Sequence, residues 1–372
     1  MHRLFRVSFA IAASAWLPAF ASAQAFNIDV DSTFGTPSST FGAGANQPGV
    51  WNDRSPFPGT TPLVDLAGAA TAVTISAVGS GVDVAFDNAG TTGDDQALMD
   101  DLSDPSPTAT WTFSGLTPGP YVLYTYAWAP DDPGYISRVI VPASIDPSQT
   151  VHGVWPNGYV LGVTHALHRV LVGSAGTLAV TINVAPGGTF ATLNGFQLVP
   201  GETNFFVQNC LPGSGGVVSC PCSNPPAAPG LGCDNFGTGP ADSGTLNGTG
   251  TPSLSGDTVT LTATGLNNTF TTVFFSGEGA LTNGVAHAAG VRCVNVNLKR
   301  LYTGPAPAAT ITRPGAGDPS VSAATAAVGA PISPGQTRHY FVIYRDPNAA
   351  TPCGNTASTV NLTSSGSLTW YP

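Results

Sequence analysis

No stretch of this chain keeps a helical spacing of apolar residues for long. Its apolar residues fall instead in short runs rich in Val, Thr, Ile and aromatics, each cut off by Gly, Pro, Asp or Asn. Runs of this length, punctuated by turn-forming residues, read as β-strands. In the first half they include "FNIDV" (26–30), "TAVTISAV" (71–78), "VDVAF" (82–86), "ATWTFS" (109–114), "YVLYTYAW" (121–128), "YISRVIV" (135–141), "HRVLVG" (168–173), "TLAVTINV" (177–184) and "LNGFQLV" (193–199). In the second half they are "DTVTLTATG" (257–265), "TTVFFSG" (271–277), "RCVNVNLKRLY" (292–302), "RHYFVIYR" (338–345), "STVNLT" (358–363) and "SLTW" (367–370). Only "GDDQALMDDLSD" (93–104) suggests a short helical turn, with Leu98, Met99 and Leu102 facing inward. Many short strands of this kind predict an all-β protein of two antiparallel β-sandwich domains. With 45 Gly and 33 Pro the chain is turn-rich, yet 42% hydrophobic residues are enough to build a core.

Residues 1–23 read as a secretory signal: Arg3 and Arg6 at the start, an apolar run from Val7 to Phe20, and a small-residue cleavage site at Ala21-Ser22-Ala23. The run is too short to span a bilayer. The remaining residues 24–372 are expected to be secreted or held at the cell surface by contacts, with no membrane insertion. Six cysteines in an oxidising compartment read as a disulfide framework: Cys210, Cys220, Cys222, Cys233, Cys293 and Cys353. Cys220 and Cys222 are too close to bridge each other, so each pairs elsewhere. The expected pattern joins Cys293 to Cys353 and ties the other four into the Pro/Gly-rich segment. Zinc is disfavoured, because no histidine lies between residues 169 and 286.

Charge divides the chain. Residues 24–200 carry fourteen Asp against Arg54, Arg138 and Arg169, a net of −11; residues 201–372 carry seven acids against six bases. All six cysteines lie in the second part. The expected organisation is a signal (1–23), an acidic jelly-roll-like sandwich (24–200), a stapled segment (201–236) and a second, disulfide-stapled sandwich (237–372). An acidic first unit with few cations argues against nucleic acid or an anionic membrane surface as partner. A cation or a neutral glycan remains compatible with it.

"WTFSGLTPGPYVLYTYA", followed by the closing "TFATLNGFQLVP", resembles the galactose-binding-like jelly-roll modules. The resemblance covers about residues 25–200 and implies a last strand that returns beside the first, here "LNGFQLV" beside "FNIDV". The second half, with "CPCSNPPAAPGLGC", "GVRCVNVNLKRL" and "HYFVIYRDP", resembles a cysteine-bearing domain of uncharacterised secreted proteins of planctomycete-type bacteria. Its turn after the first cysteine, "LPGSGG", lacks that domain's usual Asp and so the carboxylate a cation there would need.

Several residues are candidates for chemistry. Trp128, Asp131, Asp132 and Tyr135 follow one another at the end of the strand 121–128, and Trp155, Asn157 and Tyr159 would line the same edge. Aromatic faces with neighbouring carboxylates suit a glycan, although aromatics on sandwich strands commonly belong to the core. Asp94, Asp95, Asp100, Asp101 and Asp104 offer oxygen ligands for calcium, or else form a solvated acidic turn. "HALH" (165–168) is expected on a strand, where its two histidines face opposite sides and do not chelate. There is no G-x-S-x-G, H-E-x-x-H or phosphate-loop motif, and the glutamates are Glu202 and Glu278 alone. The expected function is therefore non-catalytic binding of extracellular glycan, with calcium as a candidate cofactor. Two alternatives remain: a structural surface or matrix component, and a polysaccharide-active enzyme using Asp pairs.

Overall fold

The computed structural model describes residues 24–54, 57–236, 242–267, 269–346 and 360–372, without the side chains of 269–270. The expected signal (1–23) and Cys353 lie outside the described residues. The fold is all-β and sandwich-like.

The first thirteen strands are β1 (Phe26–Val30), β2 (Trp51–Arg54), β3 (Gly59–Val64), β4 (Ala70–Gly79), β5 (Val82–Ala85), β6 (Asp101–Asp104), β7 (Thr108–Ser114), β8 (Gly119–Tyr126), β9 (Ser137–Ile140), β10 (Gln149–Val151), β11 (His165–Val172), β12 (Thr177–Val184) and β13 (Gly195–Pro200). Helix α1 (Asp94–Met99) lies between β5 and β6. One sheet has the order β11-β8-β13-β1-β2, and a second has β10-β9-β12-β7-β4-β3. Alternate residues from both fill the space between them: Phe26, Ile28, Tyr121, Leu123, Phe196 and Leu198 from the first, Ile75, Trp111, Phe113, Val180 and Ile182 from the second. The pairing of "FNIDV" with "LNGFQLV" is present, β1 running antiparallel to β13 with Phe26 opposite Leu198. The expected helical turn is α1, with Leu98, Met99 and Leu102 buried, the last on β6.

The outer face of the first sheet is also covered. Asn27, Gln47, Gln197 and Tyr126 form a buried polar lattice in which Gln47 and Gln197 both donate to Asn27 Oδ1 at 2.9 Å, and the Tyr126 hydroxyl donates to Gln197. That lattice fixes the loop between β1 and β2 over the sheet. Next to it stands Asp29, wholly buried, with neither carboxylate oxygen hydrogen-bonded. Burial pushes its pKa well up, and Asp101, Asp53 and Asp31 push it further. Asp101, which accepts from Phe34 N at 2.8 Å, is itself raised by burial to about 7. An unpaired buried carboxylate is costly when charged, so the crowded group carries protons.

A second core gathers Phe206, Leu246, Leu261, Phe274, Tyr340, Val342 and Trp370. Its strands are β14 (Val207–Gln208), β15 (Thr245–Thr249), β16 (Thr260–Thr264), β17 (Thr269–Gly277), β18 (Gly279–His287), β19 (Gly290–Asn295), β20 (Lys299–Ala306), β21 (Ile311–Arg313), β22 (Thr337–Arg345), β23 (Val360–Leu362) and β24 (Gly366–Thr369), with helix α2 (Val321–Ala327) before β22. The main sheet runs β14-β24-β22-β17-β20, with β23 beside β22; β15-β16-β21 and β18-β19 form smaller sheets. "RCVNVNLKRLY" proves to be parts of two strands, because Val296 and Asn297 turn the chain in left-handed conformation (φ 54° and 49°). Arg338, 1% exposed, reaches Glu278 at 2.6 Å and donates to the carbonyls of Ala330 and Pro331.

The cysteine pattern differs from expectation. Cys293 on β19 bonds Cys210, not Cys353, and Cys220 bonds Cys233. Cys222 is oxidised as well. Cys210, Cys233 and Cys293 pack with Val291 in one small buried cluster, so the stapled segment is fastened to the β18-β19 hairpin.

Two outcomes follow. A peptide map of the unreduced protein should recover Cys210 linked to Cys293, and the double Cys210→Ser, Cys293→Ser variant, which opens a link spanning 83 positions, should lose about 2–4 kcal/mol in denaturant unfolding. Asp29 and Asp101 bind protons more tightly in the folded chain, so their contribution to stability is complete below the ordinary carboxylate value of 3.8 and is lost as pH rises through each raised folded-state value, about 7 for Asp101. Asp29→Asn should raise the melting midpoint at pH 8 and flatten its fall between pH 4 and 8; an unchanged slope would contradict the assignment.

Candidate functional site

The chain leaves the sheet after Tyr126, two residues earlier than the expected strand, and the aromatics that follow turn inward. Trp128 is 2% exposed, donates its indole N–H to the Gly153 carbonyl at 2.7 Å and packs on Trp155 with ring centroids 5.2 Å apart. Trp155 meets Tyr159 edge-on at 5.9 Å, and Tyr159 meets Tyr126 at 5.4 Å. The Tyr159 hydroxyl donates to Asp95 at 3.0 Å, and burial raises its pKa far above the ordinary tyrosine value, with Asp95 adding to the effect. Together with Trp51, Leu98 and Met99 these rings form a satellite core on the outer face of the first sheet. Trp128 and Trp155 therefore offer no free ring face for a sugar. The expected glycan residues separate into two groups, and only the second remains accessible.

That group lies on the loop between β8 and β9. Asp131 and Tyr135 line a cleft of about 150 Å3 together with Val84, Phe86, Leu102, Asp104, Phe190, Ala191 and Thr192. Besides the β8–β9 loop, three segments build it: the end of β5, strand β6, and the loop joining β12 to β13. Tyr135 and Phe190 pack edge-to-face with centroids 5.0 Å apart, while Phe190 and Phe86 are each 42% exposed. Exposed apolar side chains gathered in one patch, rather than scattered singly, can mark a ligand-binding groove. Asp132 does something else: its carboxylate accepts from Gly134 N at 2.8 Å and closes the turn of "DDPG".

The walls of the cleft are tied together. Ser103 on β6 exchanges two backbone hydrogen bonds with Leu193, at 2.8 and 2.9 Å. The Asn88 side chain donates to the Pro130 carbonyl, joining the β5–α1 connection to the β8–β9 loop. Ser137 Oγ lies 3.1 Å from Thr192 Oγ1 at the start of β9. Partial burial, then Asp131, Asp132 and Asp104, raise the pKa of the Tyr135 hydroxyl, which keeps it neutral and able to donate. Phe86, Asp104 and Phe190 were not singled out from sequence as ligand-binding. For the two phenylalanines the one signal is an aromatic residue at the edge of a turn.

The candidate calcium ligands do not converge. Asp94 accepts from Ser38 N and Oγ at 2.7 and 2.8 Å, and Asp95 from Tyr159. Asp100 accepts from Asn88 N and Thr91 Oγ1, both at 2.9 Å, and Asp101 from Phe34 N. Helix α1 and the bend after it send the four carboxylates to different segments, where protein donors occupy them. Among the described residues no three His, Cys, Asp or Glu side chains are grouped to hold one metal ion. The acidic stretch therefore works as a set of anchors for the loops it touches.

His165 and His168 lie on β11 and face opposite sides. His165 stacks near Tyr124 and Tyr126 on the outer face, lowered by burial to about 4, while His168 is buried on the inner face. They do not form a chelate. Among the described residues no helix is long and apolar enough to cross a membrane.

No family model and no curated protein matches the chain. Solved structures of low similarity include the ANX2 ectodomain from Arabidopsis thaliana (8% identity, 94% of this chain and 97% of that chain, TM-score 0.28). The plant receptor-like kinase FER aligns at 9% identity over 94% and 96% of the two chains, with a TM-score of 0.30. A Paenibacillus xanthan lyase aligns at 13% identity over 81% of this chain and 26% of its own, with a TM-score of 0.25. Likenesses this distant do not bear on ligand or activity.

Proposed function

We propose that this is a secreted, non-catalytic protein that binds extracellular glycan through the loop-end cleft of its first sandwich. The observation that carries the reading is the pair Tyr135–Phe190, which lines one open cleft together with Phe86, Asp104 and Asp131. Aromatic faces cover the apolar C–H face of a sugar ring, and carboxylates accept from its hydroxyls. The rings sit on loops, where binding residues concentrate, yet those loops are tied to the sheets and so lose little freedom on binding. The resemblance of residues 25–200 to galactose-binding-like modules supports the same reading.

The signal-like residues 1–23 and the disulfides support secretion. The second sandwich, stapled through Cys210–Cys293 and Cys220–Cys233, serves as a stable spacer or attachment unit. Its resemblance to domains of secreted planctomycete-type proteins supports that role.

The test is retention of the mature chain on a panel of immobilised polysaccharides. Wild-type protein should be held selectively by one class, and Tyr135→Ala and Phe190→Ala should each weaken retention about tenfold, roughly 1.4 kcal/mol. Melting midpoints should stay near that of the wild type, since Phe190 is 42% exposed. Equal retention of both variants would remove the cleft from the account.

A further inference from the structure

We infer that the glycan this cleft selects carries free, protonated amino groups, as in oligomers of glucosamine. The inference rests on the glycan reading above and deepens it, and it follows from which polar groups the cleft lacks.

A neutral sugar is commonly held by donors and acceptors together, because each of its hydroxyls does both. This cleft presents almost only acceptors. Asp104 lines the cleft and accepts from Ser106 N with one oxygen only. Asp131 is exposed and has no hydrogen bond or ion pair within the described residues. The Thr192 hydroxyl is turned to Ser137, which leaves the Tyr135 hydroxyl as the lone side-chain donor. No Lys, Arg or His lines the cleft.

The arginines of the same unit are engaged outside the cleft's lining. Of the three arginines between residues 24 and 200, Arg54 is buried and donates to the Gly59 carbonyl. Arg138 is bonded to Ser148, and Arg169 is paired with Asp146 at 2.6 Å. The cleft is thus an aromatic floor with an acidic rim and no cationic side chain in its lining. An ammonium group answers both features, since it brings three donors and a positive charge and is attracted to ring faces. An N-acetylated sugar would place an amide carbonyl among acceptors, and a uronic acid would meet like charge.

Isothermal titration of the mature chain at pH 6 and low salt, with the tetramers of glucosamine, N-acetylglucosamine and glucose, separates the outcomes. The glucosamine tetramer should bind at least tenfold more tightly than the other two and weaken as salt rises. Asp104→Asn with Asp131→Asn, and Asp131→Asn alone, should abolish that preference. Glu202→Gln, an exposed charge outside the cleft, should leave it intact.

Equal affinity for all three tetramers would overturn the amino-group inference and leave the glycan reading standing. So would a preference for glucosamine that survives the Asp variants but is lost in Tyr135→Ala. Binding of glucosamine tetramer that survives both the Asp variants and Tyr135→Ala would be attraction to the acidic surface at large, which overturns the inference. Binding of none of the three would overturn it as well; the polysaccharide panel then decides the broader reading separately.

Discussion

The first sandwich depends on the contact between Gly195 and Ile28. Where β13 runs beside β1, a Cβ on residue 195 would lie 2.4 Å from the Ile28 carbonyl oxygen and 3.0 Å from Leu98 Cδ1, so only glycine allows the approach. The preceding Asn194 uses that closeness: its side chain donates to the carbonyls of Met99 and Asp101 and accepts from Trp128 N. One dipeptide thus fixes the first strand, the exit of β8 and the helix–strand unit α1–β6. Three of the cleft's four segments descend from it, since Thr192 lies two residues before Asn194, Asp104 three residues after Asp101, and Asp131 three after Trp128.

Much of the frame is readable in the residues. "FNIDV" and "LNGFQLV" alternate strictly enough to define strands, and the glycine between them marks a close approach. The sequence is silent where burial is two-sided. On β8, Tyr121 and Leu123 face the second sheet while Tyr126 faces a satellite core under the β1–β2 loop, so alternation cannot mark one face as exposed. That is why Trp128 and Trp155 read as a possible surface and are interior.

Other gaps have physical reasons of their own. The turn at Val296-Asn297 has no glycine or proline to announce it, and six cysteines allow 15 pairings that spacing alone does not separate. The cleft comes from segments about 50 residues apart, so Phe86, Tyr135 and Phe190 share no local pattern. The acidic stretch 94–104 was legible as a cluster, but its carboxylates are distributed by the bend after α1 to Ser38, Tyr159, Thr91 and Phe34.

A molecule with this arrangement combines a rigid β frame, loops tied at three points and a small aromatic cleft of one charge sign. The account stands on ligand contact at that cleft, which backbone amide chemical shifts read residue by residue. Titrating isotopically labelled protein with glucosamine tetramer should move the amides of 84–86, 102–104, 131–135 and 190–192 together, with one saturation curve. Shifts confined to other surfaces, or no shifts at saturating ligand, would contradict it.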